Sequence, residues 1–263
     1  MREPAASQRG TARFFGAATL LVTVFLLGGR DAHGAGGWLI PPQQAPERYG
    51  NLLINRTSEA HGQKPAAFSH WLHRAKYTCR VCHFELYFAM QTNSTEITEE
   101  KNRNGEYCGA CHNGKIAFGH TEENCAKCHS GEIATGSKEF GRLAFYPENP
   151  FGNGVDWMAA LDMGKIKPVQ TILGEFQPVK YNKEIVLEAE WERIPPAVFS
   201  HEAHNRWLDC SICHPDIFNI KKKTTLHFEM QYILEGKFCG ACHLSVAFPL
   251  DDCRRCHPKM GQP

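Results

Sequence analysis

The 263-residue sequence has almost no net charge, no long apolar run and no cysteine outside one short motif. Its 29 lysine and arginine residues against 28 aspartate and glutamate residues give a formal charge of +1, which argues against a nucleic-acid-binding protein because such proteins carry a basic surface. A mean hydropathy of −0.40 excludes a polytopic membrane protein. Since 42% of the residues are hydrophobic, the composition also excludes an intrinsically disordered chain.

The longest uncharged stretch lies near the N-terminus, from Phe14 to Gly29, and three arginines precede it. Its sixteen residues are fewer than the about 20 that a spanning helix needs. A basic start and a short apolar run are typical of a secretory signal. We therefore predict a signal peptide over 1–34 and an exported, periplasmic protein that contacts membranes only indirectly. An uncleaved N-terminal anchor and a place on the extracellular face are the alternatives.

All twelve cysteines fall in six copies of one motif, Cys-x-x-Cys-His. This is the attachment signature of c-type haem. Residues i, i+3 and i+4 of a helical turn share a face, so two sulfurs reach the porphyrin vinyl groups while the imidazole lies beneath the iron. The predicted thioether cysteines are Cys79, Cys82, Cys108, Cys111, Cys125, Cys128, Cys210, Cys213, Cys239, Cys242, Cys253 and Cys256. The predicted proximal ligands are His83, His112, His129, His214, His243 and His257.

Two other kinds of site use paired cysteines, namely a disulfide framework in an exported protein and a zinc site. Neither requires a histidine directly after every second cysteine, as all six motifs have here. We therefore predict six covalently bound haem c groups.

The motifs form a tandem repeat whose two copies are offset by 131 residues. Each copy has the segment Phe-Ser-His-x-x-His before its first motif, and each middle motif reads Cys-Gly-Ala-Cys-His. Histidines at i and i+3 of a helix project from one face, so each can ligate a different haem. The predicted distal ligands are His70, His73, His201 and His204.

One haem in each copy lacks an evident distal ligand. Met90 and Met230 lie between the first and second motifs of their copies, and a thioether ligand there would raise the reduction potential. His120 and His227 are the rival ligands. Met90 and Met230 are therefore the tentative third pair.

The chain divides into an N-terminal segment over 35–47, a first module over 48–130, a connector over 131–181 and a second module over 182–260. Strands are predicted at Asn51–Asn55 and from Glu184 to Ile194, where apolar residues alternate. Short helices are expected to carry the Phe-Ser-His-x-x-His segments and the haem motifs. In the connector, Asp156 is placed to cap a short helix that begins at Trp157. The connector either covers haem edges or is a plain surface linker.

Each module resembles the trihaem c7-type domain of the multihaem cytochrome c3-like group, the class III c-type cytochromes. The matching features are the strand, the Phe-x-His-x-x-His segment and three haem motifs in about eighty residues. The resemblance implies a mainly α-helical and irregular fold packed around covalent haems. In that group a histidine or methionine between the first two motifs is the third distal ligand. Here Asn104 and Glu235 replace the usual histidine, which favours Met90 and Met230.

The function that the resemblance implies is periplasmic electron transfer in anaerobic or extracellular respiration. We predict an electron relay rather than an enzyme, with redox partners such as other c-type cytochromes or a membrane quinol-linked complex. A haem subunit of a membrane or outer-membrane conduit complex is one alternative, and co-purification would reveal it. A multihaem reductase is another, and its open-site haem would give a high-spin signal.

Overall fold

The computed structural model describes residues 40–133, 137–189, 194–218 and 229–261. The predicted signal peptide and the candidate ligand His227 lie outside the described residues, as does part of the predicted second strand, over 190–193. Residues 38–263 form one compact unit. No helix within the described ranges has the length and apolar character needed to cross a membrane.

The regular elements are all short, and irregular chain connects them, in agreement with the predicted fold class. The strands are β1 Asn51–Ile54, β2 Ala66–Ser69, β3 Glu184–Leu187 and β4 Ala197–Ser200. The α-helices are α1 His70–Arg74, α2 Glu99–Arg103, α3 Cys125–Cys128, α4 Ser137–Phe140, α5 Trp157–Asp162, α6 His201–Asn205, α7 Cys210–Cys213, α8 Met230–Leu234, α9 Gly240–His243 and α10 Cys253–Cys256. Shorter 3-10 turns span Glu59–His61, Tyr107–Ala110, Glu122–Asn124 and Gly141–Phe145, and a π-helical turn spans Val81–Glu85.

A two-stranded antiparallel hairpin opens each module. Strand β1 pairs with β2 so that Asn51 lies opposite Ser69, and β3 pairs with β4 so that Glu184 lies opposite Ser200. The prediction that a helix carries the whole Phe-Ser-His-x-x-His segment is wrong in its first two residues. The phenylalanine and serine belong to the second strand because they pair with the first, and the helix begins at the histidine.

The main hydrophobic core lies where the connector meets both modules. The described residues include eleven buried hydrophobic side chains, and seven of them form one cluster. Trp71 comes from the first module and Trp207 from the second. The connector supplies the other five, which are Leu143, Val155, Trp157, Ala160 and Ile166. The connector is therefore a packed part of the fold rather than a plain surface linker.

Helix α5 shows how the connector sequence builds this core. The Asp156 side chain accepts a hydrogen bond from the Ala159 N–H at 2.9 Å, which caps the first turn as predicted. Trp157 and Ala160 stand three residues apart and are both buried on the inner face of the helix. The Trp157 indole donates to Asn153 Oδ1 at 3.1 Å, so its polar atom is satisfied within the core.

The core residues break the internal repeat. At the 131-residue offset, the positions that face the core in one module carry polar residues in the other. The mismatched pairs are Trp71 with Glu202, Arg74 with Asn205, and Lys76 with Trp207. The modules therefore share their haem motifs but use different residues to pack against the connector.

Candidate haem-binding sites

Five of the six haem motifs form a tight turn that brings the histidine back over the first cysteine. In five motifs the histidine N–H donates to the carbonyl of that cysteine, at 2.8–2.9 Å in each case. The bonded pairs are His112 with Cys108, His129 with Cys125, His214 with Cys210, His243 with Cys239, and His257 with Cys253. All twelve cysteines lie in the described residues, and none forms a disulfide. The disulfide alternative is therefore wrong.

The six predicted proximal histidines each make the same kind of hydrogen bond. In each, Nδ1 lies 2.6–3.2 Å from a backbone carbonyl oxygen. A carbonyl can only accept, so Nδ1 carries the proton and Nε2 keeps the lone pair that a metal ion needs. The carbonyls belong to Phe88 for His83, Phe118 for His112, Lys64 for His129, Phe218 for His214, Phe248 for His243 and Pro195 for His257.

The four predicted distal histidines are held in the same tautomer. His73 and His204 each direct Nδ1 to the carbonyl of the serine four residues earlier, at 2.8 Å. His70 directs Nδ1 to the Gly50 carbonyl at 2.9 Å, and His201 to the Lys183 carbonyl at 2.8 Å. All four therefore present an unprotonated Nε2.

The structure brings one predicted distal histidine of each module close to the predicted proximal histidine of the middle motif. The ring centroids of His73 and His112 are 6.2 Å apart, and those of His204 and His243 are also 6.2 Å apart. An imidazole nitrogen binds a metal ion at about 2 Å and lies about 1 Å from its ring centroid, so two imidazoles on opposite sides of one ion have centroids about 6 Å apart. Both pairs therefore have the separation that one shared iron requires.

The phenylalanine of each Phe-Ser-His segment positions the distal histidines. The Phe68 ring stacks on His73 with centroids 4.5 Å apart and meets His70 edge-on at 4.8 Å. Phe199 makes the same contacts in the second module, with centroids 4.3 Å from His204 and 4.9 Å from His201. In the sequence, this role was indicated by the presence of the phenylalanine in both copies of the repeat.

The third pair is not brought together in the same way. Met90 is half-buried in irregular chain, and Met230 is the first residue of α8. Burial is the main cause that lowers the pKa of the His112 imidazole, and the nearby His120 lowers it further. His61, which sequence reasoning left without a role, directs Nδ1 to the Thr57 carbonyl at 2.8 Å. His61 therefore shares the hydrogen bond of the predicted ligands and joins the candidates in the first module.

Close packing explains the glycine in both middle motifs. A Cβ atom on Gly109 would lie 1.7 Å from the Asn102 carbonyl oxygen, and one on Gly240 would lie 1.9 Å from that of Ile233. Real Cβ atoms do not approach a backbone oxygen so closely. Helices α2 and α8 therefore pack directly against the middle motifs, and only glycine fits.

Burial keeps the site residues neutral. It lowers the pKa of His70 and His243 to about 4, so both imidazoles are uncharged near pH 7. Burial, together with the neighbouring sulfurs of Cys79, Cys111 and Cys108, raises the pKa of the Cys82 thiol to about 12. Uncharged nitrogen and sulfur donors in an apolar setting fit a large hydrophobic ligand such as haem.

The first haem motif is tied to the fourth by a buried ion network. Arg80, inside the first motif, pairs with Glu85 and donates to Asp209 at 3.3 Å, directly before the fourth motif. Glu85 also accepts from the Ile172 N–H of the connector at 2.8 Å. Burial opposes ionisation of Glu85, but the hydrogen bonds from Thr171, Ile172 and Arg80 hold its pKa below the ordinary value. The network joins both modules and the connector through charged groups.

The comparison with known protein families agrees with this geometry. The family model described as "Cytochrome c7 and related cytochrome c" matches twice, over residues 66–130 and 197–258. Both matched regions belong to this family. Domains of this cytochrome family bind covalent haem c, which accounts for the Cys-x-x-Cys-His motifs and the matching histidines. The two matches also fall within the two modules, so the cytochrome contains two c7-like domains.

Solved structures similar to this cytochrome are also multihaem proteins. A "c7-type three-heme cytochrome domain" is 36% identical and covers 34% of this chain and 94% of its own, with a TM-score of 0.27. The "C-terminal hexaheme fragment of GSU1996" is 26% identical and covers 82% of this chain and 98% of its own, with a TM-score of 0.27. The "dodecaheme cytochrome c GSU1996" is 25% identical and covers 81% of this chain and 75% of its own, also with a TM-score of 0.27. No curated protein gives a significant match.

Proposed function

We propose that this c7-type cytochrome carries six haem c groups and relays electrons between redox proteins outside the cytoplasm. The observation that carries the proposal is the uniform state of the ten predicted histidine ligands. All ten have Nδ1 bonded to a backbone carbonyl. Surface histidines with no common task have no reason to share one tautomer, whereas iron ligands do.

The proposed cofactor would supply the one-electron redox chemistry, and the chain would hold the imidazole and sulfur groups in fixed positions. The carbonyls fix each ring about its Cα–Cβ and Cβ–Cγ bonds, so Nε2 points in one direction before any ligand binds. Turns such as α7 and α10 hold two sulfurs and one imidazole on one face. The protein part of the mechanism is therefore to hold each group still, which limits the rearrangement that accompanies electron transfer.

The predicted attachment sites lie close to one another. Burial raises the pKa of the thiols of Cys82, Cys108, Cys239 and Cys242, and nearby sulfurs raise it further. The neighbours are Cys108 with Cys128, Cys82 with Cys108 and Cys111, Cys79 with Cys242, Cys239 with Cys256, and Cys213 with both Cys239 and Cys242. Every motif therefore has a neighbouring motif, and the neighbours cross between modules at Cys79 and Cys242.

Location and partners follow from the same proposal. Covalent haem attachment and the predicted signal over 1–34 support a periplasmic site, and the partners we propose are other c-type cytochromes or a membrane quinol-linked complex. We assign the protein no substrate chemistry of its own, because distal ligands are proposed for all six irons. Met90 and Met230 remain the proposed third ligands.

The test begins with holoprotein made in a host that attaches haem c. Mass spectrometry is expected to count six haems, and magnetic spectra of the oxidised protein are expected to show six low-spin irons. His73→Ala and His204→Ala are each expected to convert one low-spin iron to high spin and leave the haem count unchanged. A wild-type protein with an open-site, high-spin haem would favour the reductase instead.

The third ligand of the first module requires a separate comparison. Met90→Ala is expected to give a high-spin signal from one haem, while His61→Ala and His120→Ala leave the spectrum unchanged. A high-spin signal from either histidine variant, with Met90→Ala unaffected, would transfer the role to that histidine. Met230→Ala provides the matching measurement in the second module.

A further inference from the structure

Arg74, the last residue of α1, holds a guanidinium group between two aromatic rings of the core. Its central carbon lies 5.0 Å from the centroid of Trp157 and 4.9 Å from that of Trp207. Both indoles are buried, one from the connector and one from the second module. The faces of aromatic rings attract cations, so this arrangement is favourable for a positive charge.

None of the ion pairs among the described residues involves this guanidinium group. Its Nε is buried and makes no hydrogen bond, and its one hydrogen bond, from Nη1 to the Val246 carbonyl, is long at 3.4 Å. Among the described residues, no carboxylate lies within ion-pair distance of Arg74. Buried charges in proteins are normally paired because leaving water is costly. Among the described residues, Arg74 therefore lies between two core indoles without a side-chain carboxylate of the chain beside it.

This charge lies at the crossing between the modules. The Val246 carbonyl that accepts from Arg74 belongs to a residue whose N–H donates to the Cys242 carbonyl at 3.0 Å, and Cys79 packs against the same core cluster as Trp157 and Trp207. Cys79 and Cys242 belong to different modules. The repeat position of Arg74 in the second module is Asn205, which is uncharged.

We propose that the positive charge of Arg74 raises the reduction potentials of the two haems attached through Cys79 and Cys242. A reduced c-type cytochrome partner would give up one electron and be oxidised, and one iron of this protein would accept that electron and pass from ferric to ferrous. A positive charge in a poorly polarisable core stabilises the added electron, and salt screens a buried charge weakly. The modules then meet at a point of relatively high potential. This inference rests on the proposed relay of six haems.

The repeat supplies matched controls within the wild-type protein. The haems at Cys79 and Cys210 have equivalent predicted ligands, as do those at Cys242 and Cys111, but Arg74 lies near one member of each pair. In a potentiometric titration of the holoprotein resolved by haem, the member near Arg74 is expected to bind its electron at least tenfold more tightly. A tenfold ratio corresponds to about 59 mV for one electron. Equal or reversed potentials in both pairs would overturn the proposal.

The variants separate the charge from the packing. Arg74→Met is expected to lower the electron-binding constants of these two haems at least tenfold. Arg74→Lys keeps the charge, so it is expected to leave the two potentials near their wild-type values. Arg206→Met is the control, because Arg206 is an arginine at the same junction that pairs with Asp162 on the surface. It is expected to leave all potentials unchanged.

Unchanged potentials in Arg74→Met would refute the role of the charge. If that variant does not assemble, the wild-type comparison still decides. The haem count and spin state are measured first, so a failure of the six-haem relay is distinguished from a failure of the Arg74 proposal. With six low-spin haems present and no effect of Arg74, only the latter is lost.

Discussion

Replacing Trp157 with alanine is expected to weaken the contact between the two modules without touching any haem motif. The Trp157 side chain is 7% exposed and belongs to the cluster that joins the connector to Trp71 and Trp207. Its ring also faces the Arg74 guanidinium at 5.0 Å. Alanine would leave a cavity and a cation with one aromatic face instead of two. Asn153 Oδ1 would keep only its hydrogen bond from the Val155 N–H, at 3.3 Å.

The magnitude follows from the cavity and the lost cation–π contact. Truncation of a buried tryptophan costs about 3–5 kcal/mol. The lost cation–π contact adds about 0.5–2 kcal/mol. The sum, about 4–7 kcal/mol, is a large part of the about 5–15 kcal/mol that stabilises a typical domain. Trp157→Phe keeps a ring in the same place, so we expect it to lose less than half as much.

The assay is guanidinium unfolding of the holoprotein, followed by circular dichroism. At a slope of about 2–6 kcal/mol per molar denaturant, the expected loss moves the midpoint by about 0.7–3.5 M. Phe145→Ala is the matched control, since this connector aromatic is 81% exposed and its loss should cost under about 0.5 kcal/mol. If Trp157→Ala lost less than about 1 kcal/mol, or no more than the control, the connector would not form the structural core described above.

Three further perturbations test separate contacts. Gly109→Ala is expected to destabilise the middle motif by about 1–3 kcal/mol or more and to lower haem occupancy by mass spectrometry, while Ala110→Gly does not. Glu85→Gln leaves the Arg80 charge without its buried partner and is expected to cost about 3–5 kcal/mol in urea unfolding. Asp156→Asn removes a carboxylate whose pKa lies below its ordinary 3.8, because hydrogen bonds from the Ala159 N–H and Arg255 outweigh the effect of burial. Its contribution to stability should be complete above about pH 4 and disappear as the pH falls through the folded pKa, so wild type and variant converge in acid.

The haem motifs and the module plan could be predicted from the sequence because covalent chemistry fixes their spacing. A thioether-bound haem needs Cys-x-x-Cys-His whatever the surrounding fold, so the family and the cofactor class were predictable and are confirmed. The capped helix at Asp156 was predictable for a similar reason, since a cap depends on neighbouring residues alone. The individual iron ligands stay predictions.

The junction could not be predicted because its contacts join residues far apart in the chain. Trp71 and Trp207 lie in the predicted haem-binding segments, where an aromatic residue would be interpreted as local packing. No neighbouring residue in the sequence indicates that both belong to one cluster with Trp157. The repeat nevertheless contained a clue. Positions such as Trp71 and Glu202, which differ within nearly identical surroundings, mark the surface that each module uses for a different neighbour.

The last histidine of each module depends on a distant part of the chain. Its Nδ1 donates to a carbonyl near the end of the hairpin loop, Lys64 for His129 and Pro195 for His257. Each carbonyl lies more than sixty positions upstream of the ring that it orients. Shortening that loop should therefore loosen the terminal haem of the module, although the cut is made at the opposite end of the module's sequence.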